Sequence, residues 1–390
     1  MKIIRRWESD KLFHLSFMLF VCGQYLLPYK ALGDILFYAA LLPAFIWHFR
    51  KTLMSVLFKH DDMLCNIILL LFAYIIAHTL LYRTIDKYTL GIIGSTISNY
   101  IFLISAREYF SSYNRLDEFC KMIVIAAGIG AVLSLIDFMV FYQQGVRLRP
   151  WNASDHEIAG ASVYAISALI AIYVFHISQT LKEKLYALIA FVLIFTVILL
   201  AGSRGPLLAL LCSIMVLGVA YYRLRFVFIV LTLIAIFGAT FYFGYDYMSD
   251  SMHIRYGGLV RPDTYRLSIF QLAWEKIKER PLLGYGMRAY FDHYSARQPH
   301  NLFLGTAFYL GIPALLALLA IVGLSFYYAL KSKATAAYKY LVLALLVFGV
   351  LGSLTDNSRI VRAPSASWLF YWMPVAMAVG IRPRAQLAIR

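Results

Sequence analysis

The chain has 390 residues, 62% of them hydrophobic and only 14% charged, where soluble domains average about 45–50% apolar and about 25% charged. One water-soluble core cannot hide that excess, so the composition excludes a soluble enzyme and requires an integral membrane protein. The net charge of +16 sits mostly in short connections between apolar runs, as membrane topology demands, and no basic stripe with interleaved aromatics offers a surface to nucleic acid.

A helix needs about 20 apolar residues to cross roughly 30 Å of hydrocarbon. About twelve runs meet that need, at approximately 12–27, 33–49, 63–81, 89–106, 119–142, 158–178, 185–201, 205–222, 225–244, 301–330, 338–355 and 364–381. They predict an all-α polytopic protein of about 12 transmembrane helices. Nine spans fall in 1–244, a long polar segment occupies 245–300, and 301–390 holds three more spans and a short tail. The first run follows Lys2, Arg5, Arg6 and Lys11 with no small-residue cleavage site, so it reads as a retained span and not a removed signal peptide. Connections on the side of the N-terminus carry nineteen Lys and Arg, and the short ones opposite carry eight. That asymmetry places both termini in the cytoplasm and 245–300 outside. Cys22, Cys65, Cys120 and Cys212 lie in apolar stretches without paired spacing, which predicts buried inert thiols.

Arg204 stands in LLAGSRGPLLALL between spans seven and eight, with apolar residues on both sides. A guanidinium near membrane depth costs about 2.5–3.5 kcal/mol on insertion scales, which makes it a functional candidate. Gly202 and Gly205 relax the backbone there, and Pro206 favours a helix start. Within the outer segment, 263–280 sets Leu267, Phe270, Trp274 and Ile277 at spacings of three and four, one apolar stripe on a helix. Asp263 or Thr264 can cap that helix, Pro281 stops it, and Gly284 and Gly286 turn the chain back towards the membrane. The segment carries Arg255, Arg261, Arg266, Arg280, Arg288 and Arg297 beside two lysines; arginine grips phosphate in a bidentate way, so an anionic, lipid-tailed ligand fits an external cavity of this kind. His300 opens the tenth span and is suited to act as a base or to hydrogen-bond a pyrophosphate. Walker, HExxH, CxxC and GxSxG signatures do not occur, so nucleotide use and a dedicated metal site lack support.

Three segments, AGSRGPLLAL at 201–210, TYRLSIFQLAWEKIKERPLLGYGMRAYF at 264–291 and HNLFLGTAFYLGIP at 300–313, resemble the O-antigen ligase and polymerase superfamily of bacterial envelope glycan assembly. Their order, the span count and the long loop between spans nine and ten match that family as well. The resemblance implies a GT-C-like glycosyltransferase in the bacterial inner membrane with its active site at the periplasmic face. It would move O-antigen from undecaprenyl pyrophosphate to a sugar hydroxyl of lipid A–core without nucleotide, metal or other cofactor, and with inversion. It maps the family's two essential arginines onto Arg204 and Arg266 and its essential histidine onto His300. Arg261, Arg288 and Asn301 join them as substrate-binding candidates, and Arg147, Arg149 and Arg359, with Arg362, as candidates for core or lipid A phosphates. The nearest rival is the O-antigen polymerase working on the same carrier. A polysaccharide or lipid transporter is a rival of another class, opposed by the lack of an internal repeat relating the two halves and by the sparseness of intramembrane charge.

Overall fold

The computed structural model describes residues 2–82, 85–111, 116–141, 147–154, 156–223, 266–291, 298–355, 357, 359–364 and 367–380. The expected ninth span, the cap at Asp263 or Thr264, and Arg255, Arg261 and Arg297 lie outside them. Without water in a bilayer core, a backbone must satisfy its own polar groups, and a helix does so within one segment. The described residues accordingly form helices. They are α1 (Lys2–Leu26), α2 (Lys30–Phe49, with a π-helical turn at Leu36–Leu41), α3 (Leu53–Phe58), α4 (Met63–Tyr82), α5 (Lys87–Phe110), α6 (Leu116–Val140), α7 (Glu157–Ile177), α8 (Leu181–Leu200) and α9 (Arg204–Tyr222). After the long segment come α10 (Arg266–Glu279), α11 (Leu302–Leu310), α12 (Ile312–Lys331), α13 (Ala336–Ser353) and α14 (Trp368–Gly380), the last opening with a π-helical turn.

Nine of the described helices are long and apolar enough to cross a membrane. Their outward faces carry Leu70, Ile129, Val192, Leu208 and Leu316, each about half exposed or more, a distribution suited to lipid and not to water. Cys22, Cys65 and Cys120 are buried as expected, whereas Cys212 is exposed on α9. The most enclosed span is α7, packed by α8, α9 and α13. Aromatic side chains knit several spans together within the core. Trp368 lies 4.9 Å from Phe37, 4.9 Å from Phe102 and 6.1 Å from Phe20, ring centre to ring centre, and so joins α1, α2, α5 and α14.

At the C-terminal end of α5 a buried polar cluster ties α3 to the bundle. Arg107 pairs with Glu108 at 2.7 Å and donates to His60 Nδ1 at 2.8 Å, so the other ring nitrogen of His60 carries the proton that Leu57 O accepts at 2.9 Å. Burial holds His60 below its ordinary pKa, and the neighbouring Arg107 adds to the effect. Asp62 caps α4 by accepting from Cys65 N at 2.7 Å.

Two expectations need correction. The run 301–330 is not one helix. It breaks at Gly311, whose φ of +86° leaves the right-handed region, and Pro313 then starts α12, where a missing N–H costs nothing. The helix expected at 263–280 is present as α10 and ends before Pro281, but its buried face is Ile269, Ala273 and Ile277. Leu267 is 72% and Trp274 53% exposed. α10 therefore has two apolar sides, a small one packed on α11 and a bulkier one turned outward, where a bilayer interface can receive it.

Candidate functional site

Between α8 and α9 the chain reverses within Ala201, Gly202 and Ser203. Gly202 takes φ +61°, a left-handed conformation that a side chain resists. Arg204 then opens α9 with its side chain exposed. Gly205 lets this first turn close on its neighbour, since a Cβ there would stand 2.4 Å from Thr355 Oγ1 and 2.9 Å from Thr355 Cβ. Small residues thus fix where the Arg204 guanidinium leaves the backbone.

Segment 147–150 lies over the same turn. Leu148 is fully buried and its N–H donates to Leu200 O at 3.2 Å. The Arg147 Cδ and Nε atoms lie 3.8 Å from the position a Gly202 Cβ would take. Arg147 and Arg204, far apart in sequence, are brought together, with Arg149 exposed two residues on. On the other side runs the segment after α13. Arg359 sits 5.7 Å from the Tyr309 ring centre.

His300 and Asn301 complete this end of the bundle. His300 is half-buried with φ +49°. Histidine tolerates that region better than most residues, yet holding it there costs about 1–3 kcal/mol, and such strain clusters at functional sites. Asn301 is buried and accepts from Phe303 N at 2.9 Å and Leu304 N at 3.0 Å, capping α11, while its Nδ2 donates to Leu354 O at 3.3 Å. Both ends of the amide are occupied, so the structure gives Asn301 the work of a cap and a strut, which sets His300 beside the α13 end. Asn301→Ala should lower stability by on the order of 1–2 kcal/mol, measured by unfolding in detergent. Asn301→Asp keeps the cap acceptor and should lose less.

The remaining candidates are placed as follows. Arg266 is half-buried at the first turn of α10, the helix that packs along α11. Arg288 pairs with Asp86 at 2.6 Å and lies 5.0 Å from the Tyr88 ring centre. Sequence reasoning missed Thr355 and Tyr309, and it missed the backbone seam that seats α11. In that seam Tyr285 N donates to Phe308 O at 2.9 Å, Gly286 N to Tyr309 O at 2.8 Å and Ile312 N to Pro281 O at 2.7 Å. The glycine spacing at 284, 286 and 311 was its signal.

Residues 189–319 match the family model described as O-antigen ligase. The chain is similar to the O-antigen ligase of Pseudomonas aeruginosa, at 29% identity over 263 residues that make up 64% of this chain and 62% of that protein. The matched family segment contains Arg204, Arg266, Arg288, His300 and Asn301; Arg147, Arg149, Thr355 and Arg359 lie outside it.

Proposed function

We propose that this chain, a multi-pass membrane protein that carries an O-antigen ligase segment, transfers O-antigen polysaccharide from undecaprenyl pyrophosphate to a sugar hydroxyl of lipid A–core. The reaction belongs to the periplasmic face of the bacterial inner membrane, and the charge asymmetry of the connections supports that orientation with both termini cytoplasmic. The observation that carries the reading is the convergence of the Arg204 turn, Arg147 and the left-handed His300, linked through Leu354 and Thr355, at one end of an apolar bundle.

The chemistry follows from the residue types. The acceptor oxygen forms a bond to the anomeric carbon as the bond from that carbon to the pyrophosphate oxygen breaks. His300 takes the acceptor proton, and undecaprenyl pyrophosphate leaves with the electron pair. Arginines held in a water-poor site stabilise the charge that grows on the leaving oxygen, and they need no reorganisation at the moment of reaction. A sugar pyrophosphate is already activated, so no nucleotide is consumed, and a single displacement inverts the anomeric centre. Arg204 and Arg266 grip the pyrophosphate. Arg147, Arg149, Arg359 and Arg362 face the phosphates of the acceptor.

Purified protein reconstituted with undecaprenyl-pyrophosphate O-antigen and lipid A–core, without ATP or divalent metal, should give a ladder of modified core on a gel. His300→Ala should abolish it in a folded protein. A longer carrier-linked glycan with bare core would replace the ligase reading by the polymerase one. No change in either lipid, with transport of the carrier in sealed vesicles, would replace both.

A further inference from the structure

The turn from Pro281 to Ala289 folds over the ends of α4 and α5 and encloses a cavity of about 160 Å³. Its walls include the buried Thr79 and Thr89, with Tyr285, Arg280 and Arg288. The turn is anchored from several directions. Leu283 O accepts from His78 Nε2 at 2.7 Å, Leu310 O accepts from the Tyr74 hydroxyl at 2.7 Å, and Asp86 holds Arg288 while it caps α5. Both arginines stack on aromatic rings: Arg280 lies 4.9 Å from the Tyr285 centre and Arg288 5.0 Å from that of Tyr88. Stacking occupies the face of a guanidinium and leaves its edge to donate to an oxyanion.

Charge and rim point to the same class of ligand. Arg280, Arg288, Lys87 and Lys276 surround this place against Asp86 and Glu279, an excess of two positive charges. At the rim, Leu282 is 68% and Leu283 51% exposed, with Leu81 in the last turn of α4 and Ile85 beyond it also exposed. Apolar and aromatic side chains alternating with Lys and Arg are what a bilayer interface selects. The place is separate from the Arg204 turn: residues 302–307 of α11, a rise of about 10 Å at 1.5 Å per residue, lie between Asn301 and the seam at Phe308 and Tyr309.

The geometry points to a second anion subsite here, which holds the phosphate of a membrane amphiphile whose hydrocarbon tails lie against Leu81, Ile85, Leu282 and Leu283. It is independent of the transfer chemistry proposed above. Its occupant braces the 281–289 turn, and through the seam with Phe308 and Tyr309 it braces α11.

The test is calorimetric titration of the full chain in a neutral detergent with three probes: dihexanoyl phosphatidic acid, dihexanoyl glycerol and inorganic phosphate. The acid should bind saturably, and the other two at least about tenfold more weakly. Arg280→Ala should weaken the acid by at least about tenfold at an unchanged unfolding temperature, with Arg280→Lys between. Arg204→Ala, which alters the other anion site, should leave this binding intact. Equal affinity in Arg280→Ala overturns the proposal, and so does loss in Arg204→Ala. Equal binding of inorganic phosphate would make this a plain anion site, and equal binding of the glycerol an apolar groove, and either result also overturns it.

Discussion

Arg204→Ala should lower the rate of glycan transfer by about 10²–10³-fold, the usual consequence of removing one preorganised donor from a developing oxyanion, with the protein retained in the membrane. The side chain leaves the first residue of α9 into the open, while Gly202, Gly205 and Pro206 set the backbone beneath it. α9 packs on α13 and α7, and an unfolding temperature in detergent measured beside the rate separates a loss of chemistry from a loss of folding. Arg204→Lys keeps the charge and loses the planar fork that meets two phosphate oxygens at once; it should recover only part of the rate. Initial rates at saturating donor separate the cases. An interaction strengthened in the transition state lowers kcat, whereas one shared with the ground state raises KM alone. Unchanged kcat in Arg204→Ala would remove this residue from the reacting centre.

Much of the fold was legible because a membrane span carries its own hydrogen bonds and declares itself by composition. The run read at 158–178 is α7 at Glu157–Ile177, and that at 205–222 is α9 at Arg204–Tyr222. The tight turn before α9 and the stop at Pro281 were equally readable, since glycine and proline act locally. The break at Gly311 was not, because apolar residues continue on both sides and hydropathy does not fall. Nor was the rotation of α10, where Leu267 and Trp274 obey the helical period but face outward. Its buried side uses Ile269, Ala273 and Ile277 because α11 lies close, and that partner cannot be seen in the period of α10 alone. Within the candidate site, Arg204 and His300 stand out in their own segments. The approach of Arg147 to the Arg204 turn and the contact of Thr355 with Gly205 depend on how distant segments pack. Asn301 reads as a ligand from its neighbour His300 and as a cap only once Phe303 N, Leu304 N and Leu354 O are in place.

Gly311→Ala should cost several kcal/mol of stability, at the upper end of what single substitutions do, and transfer should fall with it. A Cβ at this position would stand 2.1 Å from Leu282 O, 2.5 Å from Leu282 C and 2.9 Å from Leu283 N. All three are backbone atoms, so no side chain can swing away. The φ of +86° adds its own penalty for any residue with a Cβ. Relief requires the 281–286 turn to part from α11, and that stretches the bonds from Ile312 N to Pro281 O and from Tyr285 N to Phe308 O. The effect then reaches the other end of α11, where Asn301 places His300 against the end of α13. Gly323→Ala, in the same stretch of sequence but with nothing within 4 Å of its Cβ, is the control. It sits inside α12, where alanine is favoured over glycine by about 1 kcal/mol, so it should unfold no earlier than the parent protein. Thermal unfolding in detergent, run beside the transfer assay, reads both. A Gly311→Ala protein with the parent's unfolding temperature and full transfer would mean that the helix break is not held by the Leu282 contact. Early unfolding with lost transfer, against an unaffected Gly323→Ala, would show that the seam at Gly311 holds His300 in its working position.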